Sequence, residues 1–152
     1  TESVSTLRIE MGHVAGSELD GRTIPYDNSL EGLVSKKKDF IGKRSLSRKA
    51  FMSKDRQRLV GVVPLDKKSS IPEGSHLVKD PKAKLPNPKL GHISASCWSV
   101  EYNNPFSLAI LKDGKNMIGQ KLFVMSPLKN KVIPVEIVSS HYVDPKGERV
   151  RS

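Results

Sequence analysis

Beyond residue 58 the chain alternates short apolar runs with turn residues. The runs are Leu59–Pro64, His76–Lys79, Gly91–Cys97, Phe106–Leu111, Lys121–Met125 and Val132–Val138, most of them β-branched or alternating. Such runs suit pleated, half-buried backbone. They are bounded by Pro72-Glu73-Gly74, the stretch Pro81–Pro88, Asp113-Gly114 and Pro145-Lys146-Gly147, all of which carry turn chemistry. Six strands at this spacing with no helix between them predict a small antiparallel barrel or sandwich. Lys79–Lys89 holds three prolines and four lysines, the composition of an exposed loop.

The first third of the chain has a different pattern. Thr6–Glu10 sets Leu7 and Ile9 against Arg8 and Glu10, the two-residue period of a half-buried strand. Met11–Arg22 contains three glycines and reads as turns, with Asp20-Gly21 one of them, and Pro25 restricts Ile24. Asn28–Val34 is short enough to be either strand or helix. Phe40–Phe51 predicts a helix with Phe40, Ile41, Leu46 and Ala50 on its inner face, Asp39 as its N-cap and Gly42 weakening it. Met52–Arg58 is polar. The expected organisation is therefore an N-terminal piece over 1–51, a linker over 52–58 and a β domain over 59–152.

At 152 residues, 36% apolar and a mean hydropathy of −0.41, the chain can bury a modest core in one domain or two small ones. Aromatics make up 5%, so Val, Ile and Leu must fill that core. A single cysteine, Cys97, excludes an intramolecular disulfide and a thiolate zinc cluster. A reducing, cytoplasmic setting is the expectation, and no run approaches the ~20 apolar residues of a spanning helix. The chain has no basic-then-apolar leader and no initiating Met. It reads as a segment of a longer polypeptide.

Charge changes the picture more than composition does. The net charge is +10, and residues 35–58 alone hold ten Lys/Arg against two Asp, a surplus of eight. The positive field is local. Nucleic acid is the first class such a field suggests. Only Phe40 and Phe51 offer stacking surface nearby, which is poor for single strands. A solvated face, a small polyanionic ligand or an acidic partner subunit fit as well, and neither nucleic acid nor membrane is the expected partner.

No catalytic constellation stands out: there is no Walker loop, no G-x-G-x-x-G, no Gly-x-Ser-x-Gly and no His pair at metal-ligand spacing. His13, His76, His92 and His141 are dispersed, and Cys97 reads first as small core filler. Glu10 is more informative. As an ordinary carboxylate it would be exposed or paired with Arg8 or Arg22. As a functional one it would accept two N–H donors from a flat heterocycle such as a pterin or guanine.

Leu7-Arg8-Ile9-Glu10, Asp20-Gly21-Arg22-Thr23-Ile24-Pro25, Leu30–Val34 running into SKKKDFIGKRSL, then GHISASCWS and FSLAIL together resemble the C-terminal part of the glycine-cleavage T-protein (aminomethyltransferase) family. Within it the chain is most similar to the α-subunit branch of heterotetrameric sarcosine oxidase, and Tyr142–Glu148 is similar to the stretch that closes that subunit. The resemblance covers nearly the whole chain. It implies an α+β fragment, the last piece of a folate-binding domain, followed by a small antiparallel β-barrel of the aminomethyltransferase C-terminal type. It also implies a share in a tetrahydrofolate site, with Glu10 matching the family's pterin-binding glutamate. Lys38 falls where the family has a basic residue, usually Arg, beside the folate, and Lys36–Lys38 would attract a polyanionic tail. The activity implied is oxidative demethylation of sarcosine, with the one-carbon unit passed to tetrahydrofolate; glycine or dimethylglycine are the alternative donors. The catalytic aspartate, the flavin and the NAD site would lie outside these residues, on the missing portion or on other sarcosine oxidase subunits. A non-catalytic docking module with a basic face is the reading of another class.

Overall fold

The computed structural model describes residues 2–53, 55–84 and 86–151; Thr1, Lys54 of the basic stretch, Leu85 of the proline-rich loop and Ser152 lie outside them. Six strands, β1 (Gln57–Pro64), β2 (His76–Val78), β3 (Gly91–Ser99), β4 (Asn104–Lys112), β5 (Lys121–Ser126) and β6 (Lys131–Val138), match the expected runs to within two residues at each end. They pair antiparallel in the order β1-β4-β3-β2-β5-β6, and β6 returns to β1 through Gly61↔Val138 to Pro64↔Val135. The sheet is a closed barrel. Closure of β6 on β1 removes the two outer edges that an open sheet would present, although the short β2 pairs with β3 only at His76↔His92 and Leu77↔Gly91.

Alternation decides what enters the barrel. Val60, Val62, Leu77, Ile93, Ala109, Leu111, Leu122, Val124, Val135 and Ile137 fill its interior together with Ile71 and Ile133. Strand β4 is buried on both faces, since every residue from Asn104 to Leu111 is inaccessible. Its second face, Phe106, Leu108 and Ile110, joins Leu59, Val63 and Ala95 in a separate cluster outside the barrel that also takes Ile9. Doubly buried strands read as continuous apolar runs, which explains FSLAIL. A bulge between Ile93 and Ala95 bends β3 around this corner.

The element covering the outer cluster differs from expectation. Glu2–Glu10 is a helix, α1, and not a strand. A four-residue alternation fits either period, and the long-range contact decides: α1 seats Ile9 on the outer cluster, leaves Leu7 exposed and directs Arg8 to Glu18 at 3.2 Å. The helix stops at Gly12, whose φ of +69° places an added Cβ 2.6 Å from the Ser140 carbonyl oxygen. Glycine is required there on both counts.

The helix expected over Phe40–Phe51 is broken into two single turns, α2 (Lys43–Leu46) and α3 (Lys49–Met52). Gly42 precedes α2 at φ +95°, and Arg48 is extended between the two turns. Gly42, not Asp39, is the N-cap of α2; Asp39 is exposed, with its carboxylate 4.0 Å from Lys43 Nζ. Of the expected inner face, Ile41 and Ala50 are exposed and Phe40 is partly so. With Ile41 and Ala50 left facing solvent, the segment lacks the packing that offsets the cost of helix nucleation. Asn28–Val34 resolves into a 3-10 turn at Glu31–Leu33. The C-terminus ends in α4 (Glu148–Arg151), whose first amides, Glu148 N and Arg149 N, donate to Asp144.

Candidate functional site

Glu10 ends α1 with its side chain 5% exposed. Its Oε1 accepts from Val100 N at 3.1 Å, just past the end of β3. Its backbone oxygen accepts from Tyr142 N (3.1 Å) and Val143 N (3.0 Å). The residue is thus fixed at both ends. Neither arginine considered as its partner takes that role, because Arg8 pairs with Glu18 and Arg22 with Asp20. No donor among the described residues reaches Oε2. A buried carboxylate with one oxygen unengaged retains strong acceptor capacity.

The segment that holds Glu10 is itself locked by aromatic packing. Tyr142 stacks on Phe106 with centroids 4.3 Å apart and planes 4° from parallel, and Tyr102 tilts against it at 4.5 Å. Asn104 Nδ2 donates to the Tyr142 hydroxyl at 3.0 Å. Nothing local in the sequence marks Tyr142 for this role; only the partners it meets 36 residues earlier reveal it. Cys97, on the same side of β3, is partly buried, and burial followed by the nearby Glu10 charge pushes its thiol up to about 11. It is a packed, unreactive thiol.

Lys38 stands elsewhere. Its side chain is exposed and makes no ion pair among the described residues, its amide donates to Ser35 Oγ (2.9 Å), and its carbonyl accepts from Lys43 Nζ (2.9 Å). It lines a cavity of about 400 Å³ with Pro25, Leu30, Leu33 and Phe40. Glu10 does not line that cavity. A neighbouring space of about 520 Å³ begins at Gly12 and His13, two residues beyond Glu10, and shares Leu30 and Leu33 with it. Lys38 lines this apolar band, Glu10 lines neither space, and the two candidate residues do not face a common pocket.

That band is held in place by a cluster that sequence inspection missed. Asp27, 2% exposed, accepts from Arg56 Nε (2.8 Å) and Nη2, from Arg58 Nη1 (3.0 Å) and from Ile24 N (3.0 Å), while its carbonyl accepts from Leu59 N at 2.7 Å. Arg56 also lies over the Phe51 ring, 5.2 Å from its centroid. The clamp fastens the Pro25–Leu33 turn to the first strand of the barrel. Its partners are about 30 residues apart, beyond any local pattern.

Two dispersed histidines also meet. His76 and His92 are register partners across β2 and β3. The His92 ring is held below the ordinary imidazole range by burial first, then by Lys89 and His76, with Glu18 opposing. Among the described residues no three His, Cys, Asp or Glu gather to hold a metal, and no helix is long and apolar enough to cross a membrane.

The closed antiparallel barrel, strapped outside by a helix and an aromatic C-terminal segment, defines a class. Residues 57–144 match the glycine cleavage T-protein C-terminal barrel domain, and the chain belongs to that family. It is 38% identical over 151 residues to the sarcosine oxidase subunit alpha of Rhizobium meliloti (strain 1021), covering 98% of this chain and 15% of the relative. It is 36% identical over 152 residues to the subunit of the same name from Corynebacterium sp. (strain P-1), covering 98% and 16%. The chain thus spans under a fifth of these relatives' length. The glycine cleavage system aminomethyltransferase T of Bartonella henselae superposes with a TM-score of 0.67 at 19% identity, over 93% of this chain and 38% of that one, and shares the fold.

Proposed function

We propose that this chain is the C-terminal, tetrahydrofolate-binding region of a sarcosine oxidase α-type subunit. The observation that carries the reading is the extent of the likeness: relatives bearing that name match at 35–38% identity across 98% of the chain. Residues 1–51 are then the last piece of a folate-binding domain, 52–58 the connection and 59–152 the barrel beside it. The donor set present suits a reduced folate. Glu10 offers a carboxylate oxygen that no donor among the described residues engages to pterin N–H groups, and Lys38 offers an exposed cation to the carboxylates of the glutamyl tail.

Bound folate would supply a nucleophilic nitrogen that captures the one-carbon unit released by oxidative demethylation of sarcosine. The part played by this chain is binding and orientation, which raise the effective concentration of the acceptor. The flavin, NAD and catalytic residues belong to the rest of the subunit and its partner subunits. In the assembled protein carrying this chain, turnover of sarcosine with tetrahydrofolate present should yield methylene-tetrahydrofolate, and Glu10→Gln should divert the product to free formaldehyde at unchanged sarcosine consumption. Equal product ratios for the two proteins would reject the role of Glu10.

A further inference from the structure

The barrel is closed unevenly at β3. That strand pairs with β4 from Gly91↔Leu111 to Ser99↔Asn104, whereas on its other side β2 reaches only His76↔His92 and Leu77↔Gly91. The turn before β2 extends this pairing by one residue, through Gly74 N to Ile93 O and Ile93 N to Ser75 O, both 2.9 Å. Past Ile93 no strand among the described residues continues the ladder. Alternation along β3 tells which groups face the gap. Pro105 has no N–H, so Trp98↔Pro105 is not a reciprocally bonded pair, and Ser96↔Ser107, whose hydroxyl oxygens lie 2.9 Å apart, has the close side chains of the same pair type. The N–H and C=O groups of Ser96 and Trp98 therefore point away from β4. The Ser96 amide is met in the gap by a side chain, donating to Glu73 Oε1 at 3.0 Å. A tight turn puts Glu73 there: Ser75 N donates to Pro72 O at 3.4 Å, and Gly74 takes the positive φ, +74°, that glycine permits at the third position.

An open strand edge is a template for another strand, and proteins blunt it with charge or proline on the strand itself. Gly91–Val100 carries no Lys, Arg, Asp, Glu or Pro, in a chain that has 26 Lys and Arg. Uncharged strands without proline are the ones that pair with their own copies. We propose that Glu73 guards this edge and that the segment it keeps out is β3 of a second copy of the chain. Antiparallel pairing about Cys97 sets Ser96 of each copy against Trp98 of the other, so that the outward N–H and C=O groups of both residues exchange bonds. Backbone groups at strand spacing are complemented by another extended backbone, which selects a strand as the occupant. The Glu73 carboxylate supplies at Ser96 N the acceptor that such a strand would bring, and adds a charge that the strand itself lacks. An incoming copy must displace it. The edge belongs to the barrel, and the assignment does not depend on what Glu10 or Lys38 binds.

Anisotropy of a fluorescein-labelled peptide copying Gly91–Val100, with serine in place of the cysteine, titrated with the assembled protein carrying this chain, tests the guard. Glu73→Ala should bind the peptide at least tenfold more tightly than the unsubstituted protein. Glu73→Gln keeps an oxygen that accepts from Ser96 N and should bind it as weakly as the unsubstituted protein does. N-methylation of the peptide amides that correspond to Ser96 and Trp98 should abolish binding to Glu73→Ala, whereas methylation at the position of Cys97, whose amide points away from the shared edge, should leave it intact. Thermal melts confirm that the variants keep the barrel, and Glu73→Ser replaces Glu73→Ala if the latter does not fold. No binding by the opened variant, which is the result if another part of the assembly already covers the edge, would overturn the proposal. So would equal affinity in the unsubstituted protein, equal affinity in Glu73→Gln and Glu73→Ala, or indifference to methylation.

Discussion

Removing the Asp27 carboxylate tests how the N-terminal segment is fastened to the barrel. In Asp27→Ala the guanidinium groups of Arg56 and Arg58, 22% and 20% exposed, lose their shared partner, and Ile24 N loses its acceptor. Breaking a fully buried ion pair by removing one partner costs about 3–5 kcal/mol. Water reaches about a fifth of each arginine here and recovers part of that loss, so about 3 kcal/mol is expected. At this chain length each kcal/mol lowers Tm by about 2–4 °C, which predicts a fall of roughly 6–12 °C. Urea titration followed by circular dichroism measures the change directly. Arg56→Ala should cost less, about 1–2 kcal/mol, because Arg58 still pairs with the carboxylate. If Asp27→Ala costs under about 0.5 kcal/mol, the clamp is an incidental surface contact and the segment is held by the Ile9 cluster alone.

Other perturbations probe separate parts of the structure. Gly12→Ala forces a side chain onto a positive-φ turn and against the Ser140 carbonyl; a loss of more than about 2 kcal/mol in urea unfolding is expected, and Gly16→Ala, with positive φ but open space, should cost only about 1. The depressed His92 value means that the unfolded chain binds the proton more readily, so this contribution to stability is complete above the ordinary value of 6.5 and falls as pH drops through it. Denaturation midpoints between pH 8 and pH 5 should therefore decline less in His92→Gln than in the unsubstituted chain.

The barrel was legible because its information is local: each strand carries its own alternation, and each turn its own Gly, Pro or Asp. The N-terminal third was not, because its conformation depends on what it touches. Leu7–Glu10 alternates like a strand, yet Ile9 seats on Leu59 and Phe106 only if the backbone is helical. Phe40–Phe51 has helical spacing, but no surface faces Ile41 or Ala50. The same distinction holds at the candidate site. The residue type and position of Glu10 suggested an acceptor, whereas the amide it meets at Val100 lies 90 residues away. Asp27 between two arginines, Tyr142 on Phe106 and the His76–His92 pair arise from contacts between separate segments of the chain and have no signature in any short window.

The central claim is that Glu10 receives a reduced pterin, and direct titration reaches it without turnover. Binding of 5-formyltetrahydrofolate to the assembled protein should weaken by at least tenfold in Glu10→Gln, whereas Lys38→Ala should weaken the ligand with a glutamyl tail more than the bare pterin. A dissociation constant unchanged by Glu10→Gln would contradict the account.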